Sequence, residues 1–150
     1  MKKKLFALIV ISIAASMPAM AEGEYDDHIK ARQGYFQAVK LNVDLLSSMV
    51  KGKTSYDSTK ASIAADNIYQ LSRLNTQIMW PKGSGNDSEN TKAQPDIWED
   101  FSAFEEKFNA WRKASQQLTA TAGESLSVLK TNFSELSHSC KSCHREFKAR

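Results

Sequence analysis

Apolar residues recur at alternating steps of three and four in four stretches of this chain, and this spacing is the strongest constraint on its fold. In the first stretch the repeat covers residues 29–50, with Arg32 as its one charged member. In the last it covers residues 126–147 and includes Cys140 and Cys143. An α-helix places residues with this spacing on one face, so each stretch predicts an amphipathic helix.

The two middle stretches cover residues 61–78 and 95–122, and Gly52 and Gly123 supply stop signals after the first and third stretches. Residues 82–94 are polar and predict the one long connection. Only six Gly and three Pro occur in 150 residues, which disfavours a turn-rich all-β fold. The sequence therefore predicts an all-α fold, an antiparallel up-down-up-down four-helix bundle.

The N-terminus has the three parts of a secretory signal. Lysines occupy positions 2–4, an apolar run covers 5–15, and Ala-Met-Ala at 19–21 forms a cleavage site. We expect residues 1–21 to be a cleaved signal peptide, followed by one domain at 22–150. The alternative is an uncleaved membrane anchor, although the apolar run is short for a bilayer span. Export predicts a location in the periplasm of a bacterium.

The mature chain is formally neutral once the signal is removed. Taking three Lys from the 20 Lys and Arg leaves 17, against 17 Asp and Glu. The basic balance of the full sequence therefore belongs to the targeting segment. We expect no nucleic-acid partner and no membrane insertion after signal removal.

One motif near the C-terminus carries specific chemistry. Cys140-Lys141-Ser142-Cys143-His144 matches C-x-x-C-H, the attachment sequence for c-type haem. Two thiols three residues apart lie on one side of a helix, where they can bond the two vinyl groups of one porphyrin. The imidazole of the next residue can then reach the iron. We therefore predict one covalent haem c, attached through Cys140 and Cys143, with His144 as the iron ligand.

Other uses of this cysteine pair are a redox dithiol, a disulfide or a metal site. A thioredoxin-like pair needs a βαβ context and a helix N-terminus, whereas this pair lies near the end of the last predicted helix. A zinc site needs a further ligand, for which His138 is the nearest candidate.

The first predicted helix is the candidate to cover the other haem face. Arg32 is a charge on an apolar face, which is costly unless an anion meets it, and a haem propionate is such an anion. Gln33 could donate to the same carboxylate, and Phe36 would lie one turn further along, toward the iron. Alternatively, Arg32 reaches the end of the bundle and Phe36 is an ordinary core residue.

At this point the chain resembles a known family, the helical cytochromes c prime or class II c-type cytochromes. The resemblance covers nearly all of the mature chain and rests on five features in order: Arg32-Gln33, Lys51-Gly52, Trp80-Pro81, Ala93-x-Pro95-x-Ile97-Trp98, and the C-x-x-C-H motif with Phe147. It implies a left-handed four-helix bundle, often a homodimer packed through its first two helices. It also implies His144 as proximal ligand and Arg32 and Gln33 near the propionates.

Two positions bear on the subtype. In six-coordinate relatives a Met binds iron where this chain has Phe36, and neither Met49 nor Met79 is placed to substitute for it. The resemblance therefore implies a five-coordinate, high-spin iron under an apolar distal pocket. Lys148 stands where the family often has an Arg, which keeps the charge without the bidentate fork.

These features predict a gas-binding haem protein, open to NO and CO when the iron is ferrous. The rival prediction is an electron-transfer cytochrome that serves periplasmic redox partners, although no basic or acidic docking ring is evident in the sequence. We do not expect an enzyme, because Phe36 cannot act as a distal acid or base.

Overall fold

The computed structural model describes residues 23–86 and 90–150. In chain order, the α-helices are α1 (Asp26–Val50), α2 (Ser58–Ser72), the short α3 (Asp96–Glu99), α4 (Phe101–Thr121) and α5 (Leu126–Phe147). A single 3₁₀ turn, Gln77–Met79, follows α2. The predicted signal peptide lies outside the described residues. No helix in the described part of the chain is long and apolar enough to cross a membrane.

The four long helices form the predicted four-helix bundle. Helix α1 packs against α2 and α5, and α4 packs against α2 and α5, which closes the bundle. The centre is filled by aliphatic side chains that are at most 1% exposed: Leu46, Ile68, Leu118, Leu129 and Leu136. The prediction of an all-α bundle is confirmed.

Local signals explain where three of these helices begin or end. Gly52 follows the end of α1 and has a φ of +69°. This left-handed conformation is typical of the residue that terminates a helix. The carboxylate of Asp57 accepts a hydrogen bond from the Lys60 N–H at the start of α2. The Ser125 hydroxyl accepts one from the Val128 N–H at the start of α5.

Helix α2 ends at Ser72, six residues before the predicted end of its apolar pattern. Ile78, which the pattern placed on the buried face, is 79% exposed. The helix ends early because side chains of other helices bind its last carbonyls. The Tyr35 hydroxyl donates to the Leu71 carbonyl at 2.9 Å, and Arg112 Nε donates to the Ser72 carbonyl at 3.0 Å. These donors satisfy the last carbonyls of the helix in place of a further turn.

The third predicted helix is divided at Asp100. Residues 96–99 form the separate helix α3, and the Asp100 carboxylate accepts a hydrogen bond from the Ala103 N–H to cap α4. The N-cap conformation of Asp100 is not helical, so the chain changes direction there.

A second apolar cluster lies where the 82–94 connection, α3, α4 and the end of α5 meet. Its buried members are Trp80, Ala93, Ile97, Phe104 and Phe147. The connection is fastened to α5 by backbone hydrogen bonds, Gln94 N–H to the Phe147 carbonyl and Ala149 N–H to the Lys92 carbonyl. The C-x-x-C-H motif therefore lies beside two packed clusters, the bundle core and this one.

Candidate functional site

Cys140 and Cys143 are free, half-buried thiols three residues apart on α5. They contact different parts of the interior, because Cys140 packs against the bundle core and Cys143 against the second cluster. The spacing puts both thiols on one side of the helix. Their side chains therefore meet the protein interior at the boundary between the two clusters.

The electrostatics of the thiols disfavour a redox dithiol. Burial raises the pKa of Cys140 above its ordinary value, and burial together with the neighbouring Cys140 raises the pKa of Cys143 to about 11. A thioredoxin-like pair requires a lowered thiol pKa. Among residues 23–86 and 90–150, no group of three or more His, Cys, Asp and Glu side chains is arranged to bind a metal ion. A zinc site with His138 therefore lacks support.

His144 follows the second cysteine and is exposed at the surface of α5. Partial burial of the ring, followed by the charge of Lys148, lowers its pKa. Both effects favour the neutral imidazole, which is the form that coordinates a metal. The residue is therefore chemically suited to act as an axial ligand.

Two buried indole N–H groups near the thiols have no hydrogen-bond partner in the described part of the chain. They belong to Trp111, in the cluster that contacts Cys140, and to Trp80, in the cluster that contacts Cys143. An unpaired buried donor is uncommon and costs about 1–3 kcal/mol. One such donor lies in each of the two clusters that pack against a thiol, where an acceptor atom of a bound group could satisfy it.

Phe108 is the centre of an aromatic group that faces this region. Its ring centre lies 5.0 Å from that of Phe104, 5.8 Å from Trp111, 6.4 Å from Phe36 and 6.5 Å from Trp80. The group joins α1, α4 and the connection after the 3₁₀ turn. Phe108 was not among the site residues predicted from the sequence, although it lies on the apolar face of the third predicted helix.

Phe36 itself is 37% exposed and contacts Tyr35 and Phe108, with ring centres 5.0 and 6.4 Å away. It is therefore not an ordinary core residue, and its described ring contacts are all aromatic. Nothing in these contacts offers a donor or acceptor atom at the Phe36 ring.

Arg32 is buried, with 3% of its surface exposed, and its charge is satisfied by the long connection. Nη1 donates to the Met79 carbonyl at 3.1 Å and to Ser84 Oγ at 2.6 Å, while Nη2 donates to the Ser84 carbonyl at 2.8 Å. A longer contact of 3.5 Å reaches Thr91 Oγ1. Burial lowers the pKa of the guanidinium. The guanidinium is buried among these acceptors and does not extend into solvent, as the alternative considered from sequence would require.

Gln33 is also bound to the connection, because its Nε2 donates to the Asn90 carbonyl at 2.6 Å. The structure thus brings Cys140, Cys143 and His144 together on α5. It places Arg32 against Met79 and Ser84, and Gln33 against Asn90. The partners Ser84 and Thr91 carry no sequence signal beyond their place in a polar stretch.

Comparisons with known proteins are consistent with this arrangement. The sequence profile of a family described as cytochrome C′ matches residues 27–148. A cytochrome c′ from Cereibacter sphaeroides is 30% identical over 145 residues, covering 95% of this chain and 97% of that protein.

Solved structures give the same result. The structure of a cytochrome c prime from Shewanella frigidimarina matches with a TM-score of 0.76 and 30% identity, covering 85% of this chain and 98% of that one. A nitric oxide complex of a mutant cytochrome c prime from Alcaligenes xylosoxidans matches with a TM-score of 0.72 and 27% identity, covering 83% and 95%.

Proposed function

Because this chain belongs to the cytochrome c′ family, whose cofactor is haem c, we propose that it is a periplasmic protein that binds NO or CO at a five-coordinate haem iron. The haem supplies an iron that changes between ferric and ferrous states. A ferrous iron with one open position accepts uncharged diatomic ligands. The relative from Alcaligenes xylosoxidans, which was solved as a nitric oxide complex, supports this choice of ligand.

We assign the attachment of the haem to Cys140 and Cys143 and the proximal iron ligand to His144. Two observations support the assignment. Both thiols are free, and the exposed imidazole on the same helix has a lowered pKa, which favours its neutral form. The two clusters against which the thiols pack contain aromatic rings and two buried indole donors without a partner. We expect these clusters to exclude water from the inner side of a bound haem.

The proposal of an open sixth coordination position on the iron rests on one observation, which is that residue 36 is a phenylalanine with only aromatic ring contacts. Its ring contacts are Tyr35 and Phe108, and it has no atom that could coordinate iron. Met49 is buried at the far end of α1, so a sixth ligand from its thioether would require a rearrangement.

We assign Arg32 and Gln33 to the propionate edge of the haem. They also have a structural role that the family resemblance does not imply, which is to hold the connection after the 3₁₀ turn. Arg32 donates to the Met79 and Ser84 carbonyls, and Gln33 donates to the Asn90 carbonyl. In this role they position residues of the connection that follows the 3₁₀ turn. The four hydrogen bonds of Arg32 use both N–H groups of Nη1 and both of Nη2, so the Nε N–H is the one left to meet a carboxylate.

A homodimer packed through α1 and α2 is part of the proposal. Leu41, Leu45 and Ile63 are 73%, 36% and 56% exposed on these two helices. The helices are joined at this level by a hydrogen bond from Asn67 Nδ2 to Asn42 Oδ1, 3.0 Å long. Exposed leucine and isoleucine on one pair of helices favour association through that pair.

The deciding experiment is the optical spectrum of the reduced, periplasmically matured protein before and after addition of CO. We expect a broad high-spin spectrum that sharpens strongly with CO. A sharp low-spin spectrum that ignores CO would mean a sixth protein ligand, and electron transfer between redox partners would then become the leading function.

A further inference from the structure

The last turns of α5 carry a row of exposed cations around His144. Lys141, Arg145 and Lys148 are spaced by four and three residues, and His144 lies between them on the same helical face. The Lys148 N–H still donates to the His144 carbonyl, 3.3 Å away, so this residue stays on the turn although α5 ends at Phe147.

These cations lack the acidic partners that Lys40 and Lys60 have. Lys40 pairs with Asp44 and Lys60 with Asp57, one turn away on the same helix or at its cap. Within the described residues, by contrast, no ion pair is formed by any of the exposed cations at the end of the chain, which are Lys141, Arg145, Lys148 and Arg150.

The one acidic side chain in the last ten residues is already engaged. Glu146 Oε2 lies 2.9 Å from the ammonium of Lys107 on α4, and Lys107 also donates to the Ser142 hydroxyl at 3.3 Å. Glu146 therefore neutralises a cation of another helix and not those of its own. The end of α5 keeps an uncompensated positive charge, although the mature chain has equal numbers of acids and bases.

We infer that this cationic face of α5 docks an electron-donor protein whose redox centre is surrounded by carboxylates. The inference rests on the proposed function, because NO and CO bind the ferrous state and the iron must be reduced first. One electron leaves the partner's redox centre, which is oxidised, and converts ferric iron to ferrous, with no bond formed or broken. No docking ring is evident in the sequence, because Lys141, Arg145 and Lys148 form a single patch only when the helix aligns them on one face.

Local charge of this kind steers encounters and is sensitive to salt. Electrostatic steering raises association rates by about 10- to 1,000-fold at low ionic strength. The screening length falls from about 30 Å at 0.01 M salt to about 8 Å at 0.15 M. A control variant that removes the same number of charges elsewhere separates the effect of this local patch from that of the net charge of the molecule.

The test uses the ferrous holoprotein and two one-electron oxidants of opposite charge, hexacyanoferrate(III) and tris(1,10-phenanthroline)cobalt(III), in stopped flow. We expect the rate constant with the anion to fall severalfold between 0.01 and 0.2 M salt, and that with the cation to rise. The variant Lys141→Gln/Arg145→Gln should lose about 3- to 10-fold with the anion at low salt. If the change at position 141 impairs haem attachment, Arg145→Gln/Arg150→Gln serves instead.

The matched control is Lys113→Gln/Lys130→Gln, which removes the same charge elsewhere. Lys130 lies on the same face of α5 as Lys141 but eleven residues earlier, about 16 Å along the axis. This control should leave both rates unchanged. Equal losses in the control and the test variant would overturn the docking face.

The outcomes separate this inference from the proposed function. If the rate constants do not depend on salt or on the charge of the oxidant, while the protein responds to CO as expected, the docking face alone is overturned. A protein that reacts with neither oxidant and does not respond to CO would overturn both proposals.

Discussion

The guanidinium carbon of Arg32 lies 4.6 Å from the centre of the Trp80 indole ring. Both side chains are buried, with 3% and 9% of their surfaces exposed, so the contact is a desolvated cation–π interaction. It joins the first helix to the beginning of the long connection. The charge that looked anomalous in the apolar repeat of α1 therefore has a structural partner.

Replacing Arg32 by Met should destabilise the holoprotein by about 3 kcal/mol, because it removes several charged hydrogen bonds and leaves the Met79 and Ser84 carbonyls without these donors. Guanidinium chloride unfolding measures the loss. Arg73→Met is the control, since this exposed arginine only stacks on Tyr69 at 5.7 Å and should cost less than about 0.5 kcal/mol. Similar losses in the two variants would contradict the structural role.

Replacing His144 by Ala should leave the haem attached through Cys140 and Cys143 but abolish the native spectrum, because the proximal ligand is gone. Denaturing gel electrophoresis with haem staining tests the attachment, and the reduced optical spectrum tests the ligation. His138→Ala, exposed on the same helix, should keep the wild-type spectrum. An unaltered spectrum in the first variant would show that another residue binds the iron.

Replacing Phe36 by Met should shift the iron toward a six-coordinate, low-spin state, because a thioether then lies on the side where Phe36 contacts Phe108. Electron paramagnetic resonance of the ferric protein reports the spin state. Phe101→Met introduces the same side chain at the start of α4 and should remain high-spin. If Phe36→Met also stays high-spin, Phe36 does not lie over the iron.

Gly123 and Ser62 should show a coupling energy of about 1 kcal/mol. A Cβ added at Gly123 would overlap the Ser62 hydroxyl, which donates to the Ser58 carbonyl. In the Ser62→Ala background the remaining neighbours lie at ordinary contact distances and φ is not positive. There, Gly123→Ala should stabilise by about 0.4–1 kcal/mol. A thermal double-mutant cycle without coupling would show that α2 and residue 123 do not approach so closely.

Replacing Leu41 and Leu45 by Glu should give a monomer, because two carboxylates would be desolvated in the proposed α1–α2 interface. Sedimentation velocity measures the oligomeric state over a range of concentrations. Ala110→Glu, exposed on α4, is the control and should sediment as the wild type does. A double variant that remains dimeric would place the interface elsewhere.

The helix period was enough to predict the two helices that carry the proposed site. The repeat at 29–50 lies within α1, Asp26–Val50, and the repeat at 126–147 coincides with α5, Leu126–Phe147. The predicted end of the second helix was wrong, because the observed end of α2 depends on hydrogen-bond donors from α1 and α4 that are distant in sequence. Side-chain periodicity contains no information about such tertiary hydrogen bonds.

For the site, too, local features could be predicted from the sequence and tertiary contacts could not. The C-x-x-C-H motif is local, so its residues could be selected from the sequence alone. A buried charge at Arg32 could also be predicted, but its partner Ser84 could not, because the 82–94 connection has no periodic pattern from which contacts follow. Phe108 was overlooked since it is one apolar residue among many on α4.

The backbone contacts of residues 92–94 with 147–149 join positions that are far apart in sequence. Contacts between residues more than fifty positions apart carry a larger loop-closure cost than the turns of a helix, so they are expected to form later in folding. The strand-like contact between Ala93 and Lys148 is one of these non-local contacts. We therefore expect the helix that carries Cys140 and Cys143 to form before its end is fastened to the connection.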